Sequence, residues 1–304
     1  MRHPAGVAVV VLALWSGVVC TGCATVTQRA DSLAAWPPPE ATRPKIGLAL
    51  GGGGARGFAQ IGVIRALERE KVPIDVVAGT SVGSLIGALY ADTGKSLDLE
   101  FSALNVTNED LFDYKALAIL SGGFVKGERL EEFLAGKLKN REIEKLALPF
   151  AAVATELRTG KTVSFQRGPV ARAVHASSAI PGVFVPVTID GRVFVDGGVT
   201  DPVPVDAARG LGAEIVIAVA IPHAVPPKVP SNPIEVAYQA VTIMAAEIGR
   251  LRAREADVVI SPDVGDTPYD DFSRKKALIE AGEAAALAAM PAIRAAVVSH
   301  TKQP

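Results

Sequence analysis

The fold is decided by residues 45–83, which read KIGLALGGGGARGFAQIGVIRALEREKVPIDVVAGTSVG. A largely apolar run at residues 45–50 predicts a buried strand, and apolar positions at helical spacing predict a helix over residues 57–70. A second strand is predicted over residues 72–78, followed by a second glycine turn and another helix. Because strand, glycine turn and helix alternate twice, the sequence predicts an α/β fold with three layers, in which helices flank a mainly parallel central sheet.

The rest of the chain continues this pattern without an internal repeat. Residues 96–146 carry no comparable strand and show helical spacing, so we expect a helical insertion over one edge of the sheet. Its Ser-Gly-Gly-Phe stretch at residues 121–124 is either a hinge or a plain loop. Further strands are predicted at residues 148–154, 162–165, 192–195, 214–220 and 257–260, and further helices at residues 170–177, 234–254 and 273–299.

Composition and charge limit the classes of function. The chain has 304 residues, of which 49% are hydrophobic, and this suits a globular domain with a sizeable core. Its 31 Lys and Arg residues nearly balance its 32 Asp and Glu residues, leaving a formal net charge of -1. This balance gives no electrostatic support for binding nucleic acid or an anionic membrane surface. The sequence predicts no particular oligomeric state.

The first residues predict export. Residues 1–22 have the form of a signal peptide, because Arg2 is followed by an uncharged apolar run too short for a membrane-spanning helix. The run ends in Thr-Gly-Cys at Cys23, which resembles the lipobox of bacterial lipoproteins, in which the cysteine receives lipid. Cys20 stands where a lipobox usually has an aliphatic residue. Cleavage by an ordinary signal peptidase and an uncleaved anchor therefore stay open as alternatives.

Lipidation of Cys23 would attach the protein to a membrane through an N-terminal lipid anchor. Ala24 after the cysteine resembles an outer-membrane sorting signal, so the predicted location is the outer membrane, facing the periplasm or the cell exterior. Residues 23–44 contain a Trp-Pro-Pro-Pro run and are predicted to form an extended linker. One catalytic domain is then predicted over residues 45–304. No cysteine lies beyond Cys23, so that domain has no disulfide and no thiol nucleophile.

The candidate nucleophile is Ser81. It lies in Gly-Thr-Ser-Val-Gly, a G-x-S-x-G sequence between a predicted strand and a predicted helix, which is the context of a nucleophile elbow. Gly79 and Gly83 allow the backbone to turn sharply, and a helix N-terminus favours developing negative charge. The alternative is that Ser81 only caps the helix, since serine is common at that position.

A glycine loop precedes the first predicted helix and is the candidate oxyanion element. The loop also fits the G-x-G-x-x-G fingerprint of dinucleotide-binding proteins, but the acidic residue which that fingerprint needs at the end of the second strand is missing. A serine hydrolase needs backbone N–H groups that face the oxyanion, and a tight glycine loop supplies them. A lone arginine at this position would be read as a solvated helix residue, but beside a glycine loop it is expected to brace the loop or to attract an anionic headgroup. The residues concerned are Gly52, Gly53, Gly54, Arg56 and Gly57.

The base that serves the serine is harder to find. The four histidines, His3, His175, His223 and His300, occupy positions that do not favour catalysis, so the sequence contains no obvious triad. Asp196 ends a predicted strand and is followed by Gly197 and Gly198, a placement typical of catalytic carboxylates in open α/β sheets. Taken alone, Asp-Gly is also a common turn signal.

Together these elements resemble the patatin-like phospholipase family. Residues 52–57 match its glycine loop, residues 79–83 its serine elbow and residues 196–198 its Asp-Gly-Gly element, in the family's order. Residues 176–184, ASSAIPGVF, resemble the loop that precedes the aspartate strand. The resemblance implies a Ser81–Asp196 dyad without histidine, oxyanion binding by amides near Gly53 and Gly54, and no metal or other cofactor.

The resemblance implies an acyl hydrolase whose substrate is a phospholipid, a lysophospholipid or another acyl ester. The helical insertion over residues 96–146 is the expected wall or lid of an apolar trench near the nucleophile. One alternative is a small-ester or thioester hydrolase, or an acyltransferase, on the same dyad. Another is a non-catalytic scaffold of the cell envelope that binds lipid. A nucleotide-binding enzyme is a more distant alternative.

Overall fold

The computed structural model describes residues 43–107, 125–222 and 230–301. The predicted signal peptide, the lipidation site Cys23 and nearly all of the predicted linker lie outside the described residues. The fold and the site below are those of the described part of the predicted catalytic domain.

Eight strands form one sheet within the described residues. They are β1 (Ile46–Leu50), β2 (Val76–Thr80), β3 (Phe150–Glu156), β4 (Lys161–Phe165), β5 (Val187–Ile189), β6 (Arg192–Asp196), β7 (Ile215–Val219) and β8 (Val258–Ile260). Their order is β5-β6-β3-β2-β1-β7-β8, and β4 also pairs with β3. Neighbouring strands in the run β3-β2-β1-β7-β8 pair in parallel. The pairs β3–β4, β3–β6 and β5–β6 are antiparallel. The predicted, mainly parallel sheet is confirmed.

Helices cover both faces of this sheet. They are α1 (Phe58–Arg69), α2 (Val82–Thr93), α3 (Ser96–Leu104), α4 (Glu128–Lys137), α5 (Val170–Ser177), α6 (Val205–Gly210), α7 (Pro233–Ala253) and α8 (Lys275–His300). On one face, α6 and the end of α7 pack on alternate residues such as Ala49 and Ala78. On the other face, α2 approaches Leu50, Val77 and Phe150. The two helical layers and the sheet make the three predicted layers.

One predicted strand needs correction, and two short elements were not predicted. β2 begins at Val76 and not at residue 72, because Pro73 between them has no N–H to donate to a ladder. The short strand β5 and the short helix α6 have no counterpart in the predictions. Elements of this length contain too few residues for an apolar period to be visible.

The predicted insertion is helical where the structure describes it. α3 and α4 lie in this region, and residues 108–124, which include the candidate hinge at 121–124, lie outside the described residues. Leu99 in α3 and Leu130 and Leu134 in α4 are buried, so both helices pack their apolar side chains onto the domain.

The last helix is packed tightly against the first. Among the described residues, the segment Phe272–His300 is long and apolar enough to cross a membrane by length and composition. Its buried side chains nevertheless recur at helical spacing, as in Leu278, Ala286 and Ile293. A Cβ atom on Gly62 of α1 would lie 1.8 Å from the Ile279 carbonyl oxygen of α8. The close backbone contact shows that α8 packs on α1 as a helix of the domain's outer layer.

Candidate functional site

The backbone at Ser81 has the geometry of a nucleophile elbow. Ser81 connects β2 to α2 with φ 55° and ψ −127°, a left-handed conformation that is strained for a residue with a side chain. The glycines on either side are required by space. A Cβ atom on Gly79 would lie 2.2 Å from the Gly83 carbonyl oxygen, and one on Gly83 would lie 2.2 Å from the Leu50 carbonyl oxygen. The sequence therefore needs both glycines to place Ser81 at the top of the sheet.

A second serine holds this turn, and sequence reasoning missed it. The Ser81 N–H donates to Ser177 Oγ at 3.0 Å, and the Ser177 hydroxyl donates to the Val153 carbonyl of β3 at 2.6 Å. Ser177 is fully buried at the end of α5. It belongs to the family-like stretch at residues 176–184, and that resemblance was the only sequence signal for it. Ser177 thus connects the candidate nucleophile to the neighbouring strand.

The register of the sheet brings Asp196 to Ser81. Thr80, the last residue of β2, pairs with Val153, and Asp196, the last residue of β6, pairs with Ala154. Because Val153 and Ala154 are consecutive in β3, the carboxyl ends of β2 and β6 meet there. Gly197 and Gly198 then carry the chain away in a tight turn, in which the Gly198 N–H donates to Asp196 Oδ1 at 2.7 Å.

The surroundings of Asp196 make its carboxyl group a stronger base than an ordinary aspartate. Burial raises the pKa of Asp196 to about 6, although hydrogen bonds from the Ser81 hydroxyl and the Gly198 N–H oppose this rise. The first effect is the larger because the side chain is only 6% exposed. A carboxylate with this pKa is ionised at neutral pH and accepts a hydrogen bond from the candidate nucleophile.

The glycine loop lies against the elbow. A Cβ atom on Gly52 would be 3.4 Å from the Ser81 Cβ, and Gly57 packs against Val82. The Gly52 N–H donates to the Pro202 carbonyl at 3.0 Å and is therefore not available to a ligand. Within the described residues, the N–H groups of Gly53 and Gly54 make no such bond to the backbone of another segment. They are the two candidate oxyanion donors of this loop.

Arg56 braces the loop, as the first of its two predicted roles requires. Its Nε donates to the Gly53 carbonyl at 3.2 Å and its Nη1 donates to the Pro222 carbonyl at 3.1 Å, and the side chain is buried. In a trans peptide the C=O and the next N–H point in opposite directions. By holding the Gly53 carbonyl, Arg56 therefore also fixes the direction of the Gly54 N–H.

Two compartments meet at Ser81. The first, which we call the apolar compartment, contains about 800 Å³ of empty space, part of it open to solvent. Its lining includes Phe58, Leu85, Ile86, Leu89, Leu130 and Phe133. The second, which we call the aspartate compartment, contains about 660 Å³ and is lined by Gly53, Asp196, Pro202, Val241, Thr242 and Ala245. Gly54, Ser81, Ile180 and Tyr269 line both.

α4, which carries Leu130 and Phe133 into the apolar compartment, is attached to α5 by a polar cluster. Glu131 Oε1 accepts from Arg172 Nη1 at 2.8 Å and lies 2.6 Å from His175 Nδ1. His175 is buried, and neither it nor the exposed His300 lines either compartment. His223 lies outside the described residues. Among the described residues, the candidate base is therefore Asp196.

The chain is similar to known proteins over the region that carries this site. A family model described as patatin-like phospholipase matches residues 48–209. An uncharacterised NTE family protein of Mycobacterium bovis is 39% identical over 191 residues, which are 61% of this chain and 53% of that protein. A protein of Aspergillus niger named a lysophospholipase is 37% identical over 177 residues, or 57% of this chain and 12% of that protein.

The match to solved structures is looser. VipD from Legionella pneumophila is 14% identical with a TM-score of 0.48, over 82% of this chain and 67% of that one. The chain spans about half the length of the mycobacterial protein it matches and a much smaller part of the fungal one.

Proposed function

Because the chain belongs to the patatin-like phospholipase family, we propose that it is a serine hydrolase that cleaves lipid acyl esters through Ser81 and Asp196. The observation that carries this proposal is the meeting of the strained Ser81 with the buried Asp196 at the ends of β2 and β6. The fungal relative named a lysophospholipase supports a phospholipid or a lysophospholipid as the class of substrate.

In the first half of the proposed reaction, Asp196 accepts the Ser81 hydroxyl proton while Oγ attacks the ester carbonyl carbon. The negative charge that develops on the carbonyl oxygen is stabilised by the N–H groups of Gly53 and Gly54, and Arg56 holds the second of these in place through the Gly53 carbonyl. Asp196 then gives its proton to the departing alcohol oxygen, the carbon–oxygen bond breaks and the acyl group stays on Ser81.

In the second half, water attacks the acyl group. Asp196 takes a proton from the water, the same two N–H groups hold the new oxyanion, and the proton passes to Ser81 Oγ as the fatty acid leaves. A pKa of about 6 suits both halves, because Asp196 is mostly ionised at neutral pH and yet is basic enough to share the serine proton.

The proposal includes the location of the protein. Cys23 is the proposed lipidated residue and would hold the domain at the outer membrane, close to a bilayer that contains acyl esters. The lipobox-like sequence and the signal-like run before it support this part of the proposal.

The test is hydrolysis of mixed phospholipid and lysophospholipid vesicles by the wild type, Ser81→Ala and Asp196→Asn. We expect free fatty acid from the wild type and a loss of at least a thousandfold in both variants, each shown to be folded by circular dichroism. A fluorophosphonate should label Ser81 in the wild type. Labelling without release of fatty acid would contradict the lipid substrate but not the nucleophile, and absence of labelling would favour a non-catalytic scaffold.

A further inference from the structure

The two compartments at Ser81 differ in the catalytic groups that they contain. Asp196 and Gly53 line only the aspartate compartment, whereas Leu85, Leu89 and Phe133 line only the apolar compartment. An ester has an acyl half and an alcohol half, and the carbonyl carbon attacked by Ser81 lies between them. The site can therefore hold an ester in one of two orientations.

Proton transfer selects one orientation. In the proposed function, on which this inference rests, the proton that Asp196 takes from Ser81 must reach the alcohol oxygen before the carbon–oxygen bond breaks. The alcohol oxygen must therefore lie on the side of Ser81 where Asp196 is. Water that hydrolyses the acyl group must approach from the same side, since Asp196 also accepts its proton.

We propose that the aspartate compartment binds the alcohol half of the substrate and that the apolar compartment binds the acyl chain. The wall of the alcohol site is α7, through Val241 and Ala245. Its other apolar neighbours include Pro202 and Val199, so the alcohol it accepts presents a bulky, apolar body to α7, as a substituted glycerol does. A volume of several hundred Å³ is in the range of ligand sites.

The position of α7 is coupled to the turn that follows Asp196. Gly249 of α7 packs on Pro202, with 3.4 Å between a Cβ built on the glycine and the Pro202 Cβ. Farther along the helix, Arg252 Nε lies 4.0 Å from the buried Asp201 Oδ1. The helix α7, which forms the wall of the alcohol site, and Asp196, whose carboxyl group protonates the alcohol, therefore belong to one packed unit. This arrangement makes α7 the element that selects for alcohol size.

The test crosses two series of esters with substitutions in the two compartments of the full chain. One series keeps methanol as the alcohol and lengthens the acyl chain from acetyl to dodecanoyl. The other keeps a butyryl group and enlarges the alcohol from methanol to a glycerol with a bulky ether substituent. Ala245→Trp fills the aspartate compartment, and Ala240→Trp, at an exposed position of the same helix, is its matched control. Phe133→Ala enlarges the apolar compartment.

We expect Ala245→Trp to lower kcat/KM at least tenfold more for the bulky alcohols than for methyl esters, with an unchanged preference for acyl length. Ala240→Trp should leave both preferences as in the wild type. Phe133→Ala should change the preference for acyl length alone. A changed preference for acyl length in Ala245→Trp would indicate the opposite orientation and overturn the inference. Equal preferences for alcohol size in the two Trp variants would overturn it as well.

These outcomes are separate from failure of the proposed function. If the fluorophosphonate does not label Ser81 in the wild type, the proposed function is wrong and the inference falls with it. If Ser81 is labelled and both ester series are hydrolysed, the proposed nucleophile stands, and only the pattern of preferences decides the orientation.

Discussion

Ser177 is a residue on which the position of the proposed nucleophile directly depends. Its hydroxyl accepts from the Ser81 N–H and donates to the Val153 carbonyl, so it holds the strained turn against β3. A strained conformation persists only where its surroundings fix it. We therefore propose that Ser177 is a positioning residue, which acts on the proposed reaction through Ser81.

Ser177→Ala removes both hydrogen bonds and leaves two buried backbone groups without them. We expect a loss of about 1–3 kcal/mol in the free energy of unfolding and a fall in kcat of about tenfold to a hundredfold, because the nucleophile is displaced. Urea unfolding gives the first quantity, and ester hydrolysis at saturating substrate gives the second. KM should change little, since Ser177 lines neither compartment.

Ser84→Ala is the matched control for this prediction. The Ser84 hydroxyl also bonds to Ser81, at the carbonyl oxygen, but that oxygen keeps the bonds from the Ser84 and Leu85 N–H groups. We expect the smaller loss of kcat from this variant. Equal losses in the two variants would mean that Ser177 has no special part in placing Ser81.

Asp196 is expected to make stability depend on pH. Its pKa in the folded state, about 6, is above its ordinary value of 3.8, so the folded state binds more protons between these values. Stability from this group is therefore lost as pH rises through that window, by on the order of 3 kcal/mol in total. Asp196→Asn removes this loss.

The measurement is denaturant unfolding of wild type and Asp196→Asn at about pH 4 and about pH 7. The variant should gain stability relative to the wild type at the higher pH. Among the described residues, the other buried carboxyl group with a raised pKa is Asp201, which is present in both proteins and cancels in the comparison. A difference that does not vary with pH would contradict the raised pKa of Asp196.

At the scale of elements, the contact between α1 and α8 depends on two glycines. A Cβ on Gly62 would lie 1.8 Å from the Ile279 carbonyl oxygen, and one on Gly282 would lie 1.8 Å from the Ala59 carbonyl oxygen. Backbone atoms cannot rotate away as a flexible side chain can. The helices would have to separate, and the packing between them would loosen.

Gly62→Ala is therefore expected to lower the free energy of unfolding by about 3 kcal/mol or more, as overpacked sites do. Gly136 lies in α4 with open space around it, so Gly136→Ala should instead raise the free energy of unfolding by about 0.5–1 kcal/mol, because alanine favours the helix. Thermal unfolding of both variants checks the pair. A stable Gly62→Ala protein would show that the helices pack less closely than described.

At the scale of the whole molecule, the proposed anchor at Cys23 would set where the proposed catalytic domain works. We expect wild type expressed in a bacterial host to incorporate labelled palmitate and to fractionate with the outer membrane. Cys23→Ala should do neither, because it lacks the thiol that receives lipid. Cys20→Ala is the control that should keep the label. Palmitate incorporation by Cys23→Ala would refute the lipobox interpretation.

The sequence by itself determined the features that depend on residues close together along the chain. The alternation of strand, glycine turn and helix predicts the parallel sheet, and the glycines around Ser81 predict a sharp turn, because both follow from the local sterics of the backbone. The resemblance over residues 52–57, 79–83 and 196–198 pointed to the elements that the structure places together. Short elements such as β5 and α6 were missed, since their stability comes from the sheet they join.

Only the tertiary structure decided the relations between distant segments. Ser177 is 96 positions from the Ser81 N–H to which it bonds, and Arg56 is 166 positions from the Pro222 carbonyl. The division of the site into two compartments arises where α7 and the helical insertion pack around Ser81. No local pattern records these contacts, because they form when the sheet and its helices bury their apolar faces and bring distant residues together.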